Sequence, residues 1–201
     1  MELPDMSEEQ NNDKPEQEKS VSVEKALLKS RTVIISEKIT QELAAKVTAR
    51  LLALAEMGDE PIKLFINSQG GHVEAGDTIH DMIKFIKPDV LVIGTGWVAS
   101  AGITIYLAAR KENRFTLPNT RFMIHQPLGG VRGQVTDIQI EANEILRIRD
   151  RINKIISDGT GQPYEKVVQD TDRNFWMSPQ EAIEYGIATH LITQQDELNK
   201  R

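Results

Sequence analysis

The stretch Gly94-Thr95-Gly96-Trp97-Val98-Ala99-Ser100-Ala101-Gly102 joins two apolar runs of different character. Before it lies Asp89-Val90-Leu91-Val92-Ile93, short and β-branched, which predicts a buried strand. After it lies Ile103-Thr104-Ile105-Tyr106-Leu107-Ala108-Ala109, apolar and long enough for a buried helix. A strand feeding a helix through small residues is the repeating unit of α/β folds. At such a join a serine exposes its hydroxyl, and the N–H groups that open the helix point at whatever the hydroxyl attacks. The N–H of Ala101 lies beside Ser100, where an oxyanion would form. The same serine also suits a helix N-cap, its small neighbours serving only close packing.

The pattern repeats outward from this join. Toward the N-terminus, 63–67 reads as a strand entering Ser68-Gln69-Gly70-Gly71, a turn that needs glycine geometry. A helix follows, with Val73, Ile79, Met82, Ile83 and Ile86 inward, stopped by Pro88. Earlier, 31–36 reads as a strand, and Thr40 caps a helix with Leu43, Val47, Leu51 and Leu54 on one face, ended by Gly58 and Pro61. A short helix over 21–29 is anchored by Ala26, Leu27 and Leu28. Toward the C-terminus, 121–124 is a strand ending at His125-Gln126-Pro127, and 128–134 is glycine-rich and extended. One long helix then runs over about 135–157 with an apolar stripe of Ile138, Ile145, Ile148, Ile152, Ile155 and Ile156, closed by Gly159 and Gly161. Short helices at 163–169 and 179–185 and a last strand at 190–193 complete the chain. Alternating strands and helices predict mainly parallel sheets covered by helices, without internal repeats. The carboxyl ends of the strands would carry Gly71, Ser100 and His125 together, where open α/β sheets place their sites.

Length and charge narrow the classes. The 201 residues suit one domain with extras. Residues 1–19 hold seven acids and two bases, which accounts for −5 of the formal charge of −6; they are apolar-poor and expected to be disordered. The remaining 182 residues carry 23 acids and 22 bases, so no nucleic-acid or anionic-membrane partner is expected. The absence of cysteine excludes disulfides, thiol catalysis and Cys-based metal sites. No apolar segment resembles a signal peptide or a membrane span, so a cytoplasmic location is expected.

Among the four histidines, His125 ends the strand that follows the Ser100 helix and can come within reach of the Ser100 hydroxyl, as a general base must. It also suits a structural histidine. His80 lies mid-helix, His190 starts a peripheral strand, and His72, after the Gly pair, is the one competitor. None belongs to an H-E-x-x-H pattern, so neither zinc nor another metal is expected. Gly94, Gly96 and Ala99 formally match the dinucleotide fingerprint G-x-G-x-x-A, but mid-chain and with Glu112 in a charged turn rather than at a strand end. No cofactor is expected. The segment 129–133 is either a plain connector or a side-chain-poor template for an incoming peptide strand. The isoleucines of the long helix exceed what a solvated helix exposes and imply cover by a partner subunit.

These motifs resemble the proteolytic subunit of the Clp protease, the ClpP family, from about residue 20 to the end. Phe65-Ile66-Asn67-Ser68-Gln69-Gly70-Gly71 is similar to that family's I-N-S-P-G-G turn, and Val98-Ala99-Ser100-Ala101-Gly102 to its A-A-S-M-G nucleophile. Met123-Ile124-His125-Gln126-Pro127-Leu128-Gly129-Gly130 resembles its M-I-H-Q-P motif; Gly161-Gln162-Pro163, Asp170-Thr171-Asp172-Arg173 and Glu184-Tyr185-Gly186 also fit. The resemblance implies a crotonase-like fold with a handle at about 128–160, and a serine endopeptidase working inside two stacked heptameric rings fed by an ATP-driven unfoldase. By the same resemblance Ser100 is the nucleophile, His125 the base, and the N–H groups of Gly71 and Ala101 the oxyanion hole. Gly129, Gly130 and Val131 pair with substrate backbone, while Gln134, Asp172 and Arg173 belong to the ring-stacking interface. The chain departs from the family in four places. Asn174 stands where the family's triad aspartate follows D-T-x-R, Gln69 replaces proline, Ala101 replaces methionine, and Trp97 is bulky for its place. The acidic tail is also unlike the family's apolar axial loop.

The expectation is a Ser100–His125–Asn174 triad with low activity alone. Two other roles are compatible with parts of the sequence: a silent ring subunit assembling with an active paralogue, and an acyl-CoA enzyme that uses only the oxyanion hole.

Overall fold

A computed structural model describes residues 22–199. The acidic tail and the expected helix start at Val21 lie outside the described residues. The first helix, α1 (Val23–Lys29), is followed by β1 (Thr32–Ile35), α2 (Gln41–Glu56), β2 (Ile62–Ser68) and α3 (Val73–Phe85). Next come β3 (Val90–Ala99), α4 (Ala101–Leu107), β4 (Arg114–Thr116) and β5 (Arg121–Ile124). The long helix α5 (Val135–Thr160) leads to α6 (Tyr164–Asp170), β6 (Phe175–Met177), α7 (Pro179–Tyr185) and β7 (His190–Leu191). Seven strands form one sheet in the order β1-β2-β3-β4-β7, with β5 pairing β3 and β6 pairing β5. Every pairing is parallel except β5 with β6.

The central strand differs from its sequence reading. Residues 94–99 are not a turn but the second half of β3, which runs ten residues. Its first half pairs β4 through Val92, Ile93 and Gly94, and its second half pairs β5 through Trp97, Val98 and Ala99. Between them the register against β2 slips from Ile66↔Gly94 to Ser68↔Val98. Gly96 takes φ +60, and a Cβ there would lie 2.4 Å from Asn67 Oδ1, the atom that accepts the Trp97 N–H. Gly94 and Gly96 are therefore the means by which one strand bends from one arm of the sheet to the other. A dinucleotide fingerprint needs its glycines in a strand-to-helix turn, and these lie inside the strand.

The core forms where the periodicity places it. Thr40 caps α2 by accepting the Leu43 N–H at 3.1 Å, and Leu43, Val47, Leu51 and Leu54 are buried. All seven residues of α4 are buried. In α3, Ile79 and Ile83 are buried, Val73 and Met82 only half-buried. The expected anchor of α1 is absent: Ala26 and Leu28 are exposed and Leu27 half-buried. The helix α5 is 26 residues long, about 39 Å. Its C-terminal part buries Ile152 and Ile156, while Val135, Ile138, Ile140 and Leu146 near its start are exposed, so it projects from the head as a handle. Gly161, with φ +82, terminates it in the left-handed conformation. No helix among the described residues is long and apolar enough to cross a membrane.

Candidate active site

The site assembles at the carboxyl ends of β2, β3 and β5. Ser100 sits between β3 and α4 with φ 55 and ψ −123, a conformation that L residues rarely adopt. Its N–H donates to Met123 O at 3.0 Å and its carbonyl accepts from Ile103 at 2.9 Å, which holds the strained turn. Its side chain caps nothing. The N-cap alternative is thus replaced by a different use of the hydroxyl, which lies 2.8 Å from Nε2 of His125.

His125 is held between two tethers. β5 fixes it on one side, and on the other the N–H of Gln126 donates to Thr171 O at 2.6 Å while Gln126 Nε2 donates to Asp172 O at 2.7 Å. The segment after Thr171 then carries Asn174 to the head of β6, whose Phe175 pairs with Ile124. Asn174 Oδ1 lies 3.1 Å from His125 Nδ1. With Nδ1–H donating to that oxygen, Nε2 is left as the acceptor for the Ser100 hydroxyl. Burial lowers the His125 pKa below the ordinary histidine value, and the Asn174 bond partly opposes this. This favours the neutral imidazole, the form able to take a proton.

The turn at 68–71 packs onto this array. Ser68 Oγ donates to Glu37 O at 2.6 Å and accepts the Gly70 N–H at 3.1 Å. A Cβ on Gly70 would lie 2.6 Å from Ser100 Cβ, and one on Gly71 would lie 2.1 Å from Ile39 O. Both glycines are thus required by close approach, as the sequence predicted for the turn. Gly71 lines the same cleft as Ser100, and Ala101 opens α4, so its N–H has no intrahelical partner. Ser100, His125 and Gly71 line one cleft, with Asn174 on the far side of the imidazole, and a hydroxyl bonded to an imidazole beside backbone N–H groups is an arrangement capable of acyl transfer.

The remaining predicted residues lie apart from the Ser100 cleft or at its margin. Gly129, Gly130 and Gln134 are exposed and Val131 half-buried in the irregular segment before α5. Asp172 and Arg173 are both exposed, with Arg173 Nη1 3.5 Å from Asp172 Oδ2. Among the other histidines, His80 is buried with Nδ1 2.8 Å from Thr104 O, and His72 pairs with Glu74 at 3.1 Å. Among the described residues no group of three or more His, Asp or Glu side chains could hold a metal. Trp97 is accommodated on the surface, stacked on Trp176 at 6.2 Å with Arg121 over the second ring. The sequence reading missed Thr171, whose Oγ1 donates to buried Asn153 at 2.9 Å and whose carbonyl tethers Gln126. Its sequence signal was its place in the Asp170-Thr171-Asp172-Arg173 motif.

The model of the Clp protease family matches residues 15–195. This chain belongs to the Clp protease family. It is 52% identical over 194 residues to ATP-dependent Clp protease proteolytic subunit 3 of Rhizobium etli, covering 96% of this chain and 100% of that one. It is 56% identical over 178 residues to proteolytic subunit 2 of Gluconobacter oxydans, covering 88% and 80%. The solved ClpP1 of Listeria monocytogenes is 60% identical at a TM-score of 0.80, covering 88% of this chain and 99% of that one. An asparagine-to-aspartate variant of the same ClpP1 gives 61% and 0.81, covering 86% and 97%. The branched parallel sheet with its projecting handle is the ClpP fold, and the chain is a Clp protease proteolytic subunit by family.

Proposed function

We propose that this ClpP-family subunit is a serine endopeptidase of low activity alone. Ser100 attacks the scissile carbonyl, His125 takes its proton at Nε2, and Asn174 holds the histidine in the required tautomer. The N–H groups of Gly71 and Ala101 receive the oxyanion. Gly129, Gly130 and Val131 offer backbone to an extended substrate. The observation that carries this reading is the continuous array from Ser100 Oγ through His125 to Asn174 Oδ1, at 2.8 and 3.1 Å.

The exposed apolar start of α5, with Gln134, Asp172 and Arg173, would join two heptameric rings into a closed chamber. An ATP-driven Clp unfoldase would supply polypeptides, and a cytoplasmic setting suits that partner. Neutral Asn174 favours a second reading, in which the subunit is silent and completes rings with an active paralogue. Mass spectrometry after exposure to a fluorophosphonate separates the two. A single adduct on Ser100, lost in Ser100→Ala, supports the enzyme; no adduct in either the isolated protein or the mixed ring supports the silent role.

A further inference from the structure

The cleft at Ser100 has a volume of about 550 Å³. Its apolar lining includes Val73, Pro127 and Leu128. Its polar lining includes Lys38, Gln41, Gln69 and His72, and no aspartate or glutamate. Lys38 is the one lysine or arginine among the residues that line it. Glu74 sits 3.1 Å from His72 Nδ1. Lys38 takes part in none of the ion pairs among the described residues.

Lys38 is also placed firmly. Its neighbour Ile39 forms a parallel bridge with Gly71. The Ile39 N–H donates to Gly70 O at 3.0 Å, and the His72 N–H donates to Ile39 O at 2.9 Å. The missing Cβ of Gly71 is what allows this approach. Lys38 is therefore held next to the residue that bridges the Gly71 turn, and it lines the same cleft as Ser100.

We infer that Lys38 is a specificity-determining residue that selects acidic side chains close to the scissile bond; this rests on the serine-peptidase reading above. A substrate held at Ser100 lays its adjoining side chains along this wall. A carboxylate there meets an uncompensated cation, and a lysine or arginine meets repulsion with no acid to relieve it. Because Lys38 is exposed, water and salt screen the effect to a few-fold.

The test uses the assembled protein and matched fluorogenic peptides that differ only in a glutamate or a lysine at one position flanking the cleaved bond. The ratio of kcat/KM for the glutamate peptide over the lysine peptide is expected to reach about 5-fold at one or more positions at low salt, ~1 kcal/mol. It should fall toward unity in roughly 0.5 M salt. Lys38→Arg should keep the ratio, Lys38→Met abolish it, and Lys38→Glu invert it. Taking the ratio within each variant cancels any change in overall rate. Fluorescence anisotropy of the same labelled peptides on Ser100→Ala, with and without Lys38→Glu, repeats the comparison without turnover. An unchanged ratio in Lys38→Glu at every position, in both measurements, overturns the inference. Undiminished hydrolysis by Ser100→Ala would overturn the serine reading instead, while the binding ratio still decides the role of Lys38.

Discussion

Asn174→Asp probes the member of the array that carries no charge. Asn174 Oδ1 accepts from His125 Nδ1 at 3.1 Å and so fixes the tautomer, but it does little for the imidazolium that forms when Ser100 attacks. A carboxylate in the same place would stand ~4 Å from that charge, an attraction of ~1 kcal/mol in bulk water and ~4 kcal/mol at an effective dielectric near 20. Asn174 is exposed and His125 half-buried, which places the gain toward the lower part of that range. A gain of ~1.4 kcal/mol is tenfold in rate. In chymotrypsin-like enzymes, whose acid is buried, the opposite exchange costs ~10⁴. Cysteine proteases tolerate asparagine because their thiol is already acidic, and a serine hydroxyl has no such help. The expected outcome is therefore a rise of at least ~10-fold in kcat/KM on a short fluorogenic peptide. The pH profile gives an independent reading. Burial holds the parent His125 below the ordinary histidine pKa, so its acid limb falls below that value. A carboxylate at Nδ1 stabilises the protonated ring and raises that pKa, so the limb moves to higher pH and the gain shrinks on the acid side. A variant that assembles normally, is no faster and keeps its acid limb would refute the role given to Asn174.

Three further outcomes follow from the geometry. Gly71→Ala drives a Cβ to within 2.1 Å of Ile39 O, displacing the oxyanion turn, and should lower kcat by ~10²–10³ with near-native circular dichroism; retained activity would remove Gly71 from the site. Arg173 is exposed and among the described residues pairs with its neighbour Asp172, so Arg173→Ala should leave the subunit's urea midpoint unchanged yet shift sedimentation from double toward single rings. Large particles in undiminished proportion would count against its interface role. Arg114 is buried and donates to Ala109 O at 2.9 Å, Leu107 O at 3.0 Å and Gly159 O at 2.6 Å, so Arg114→Met should cost ~3 kcal/mol or more in urea denaturation by stranding three carbonyls.

Much of the fold and part of the site are legible wherever the information is local. The alternation of apolar strand and amphipathic helix specifies a parallel α/β sheet. Thr40 marks a helix start and Gly161 a helix end because caps act within one turn. Ser100 and His125 stand out because each follows an apolar strand, and strand ends converge in such sheets. What the sequence left open depends on pairings between distant segments. Gly94 and Gly96 look like a turn because glycine permits both a turn and a bulge, and only pairing with β2, β4 and β5 selects the bulge. The three-residue β6 is too short to show a period, and its antiparallel pairing with β5 sets Asn174 beside His125. Nothing in the local sequence joins Lys38 to Ser100. The Ile39–Gly71 bridge, made across more than thirty residues of chain, puts it on the wall of the cleft.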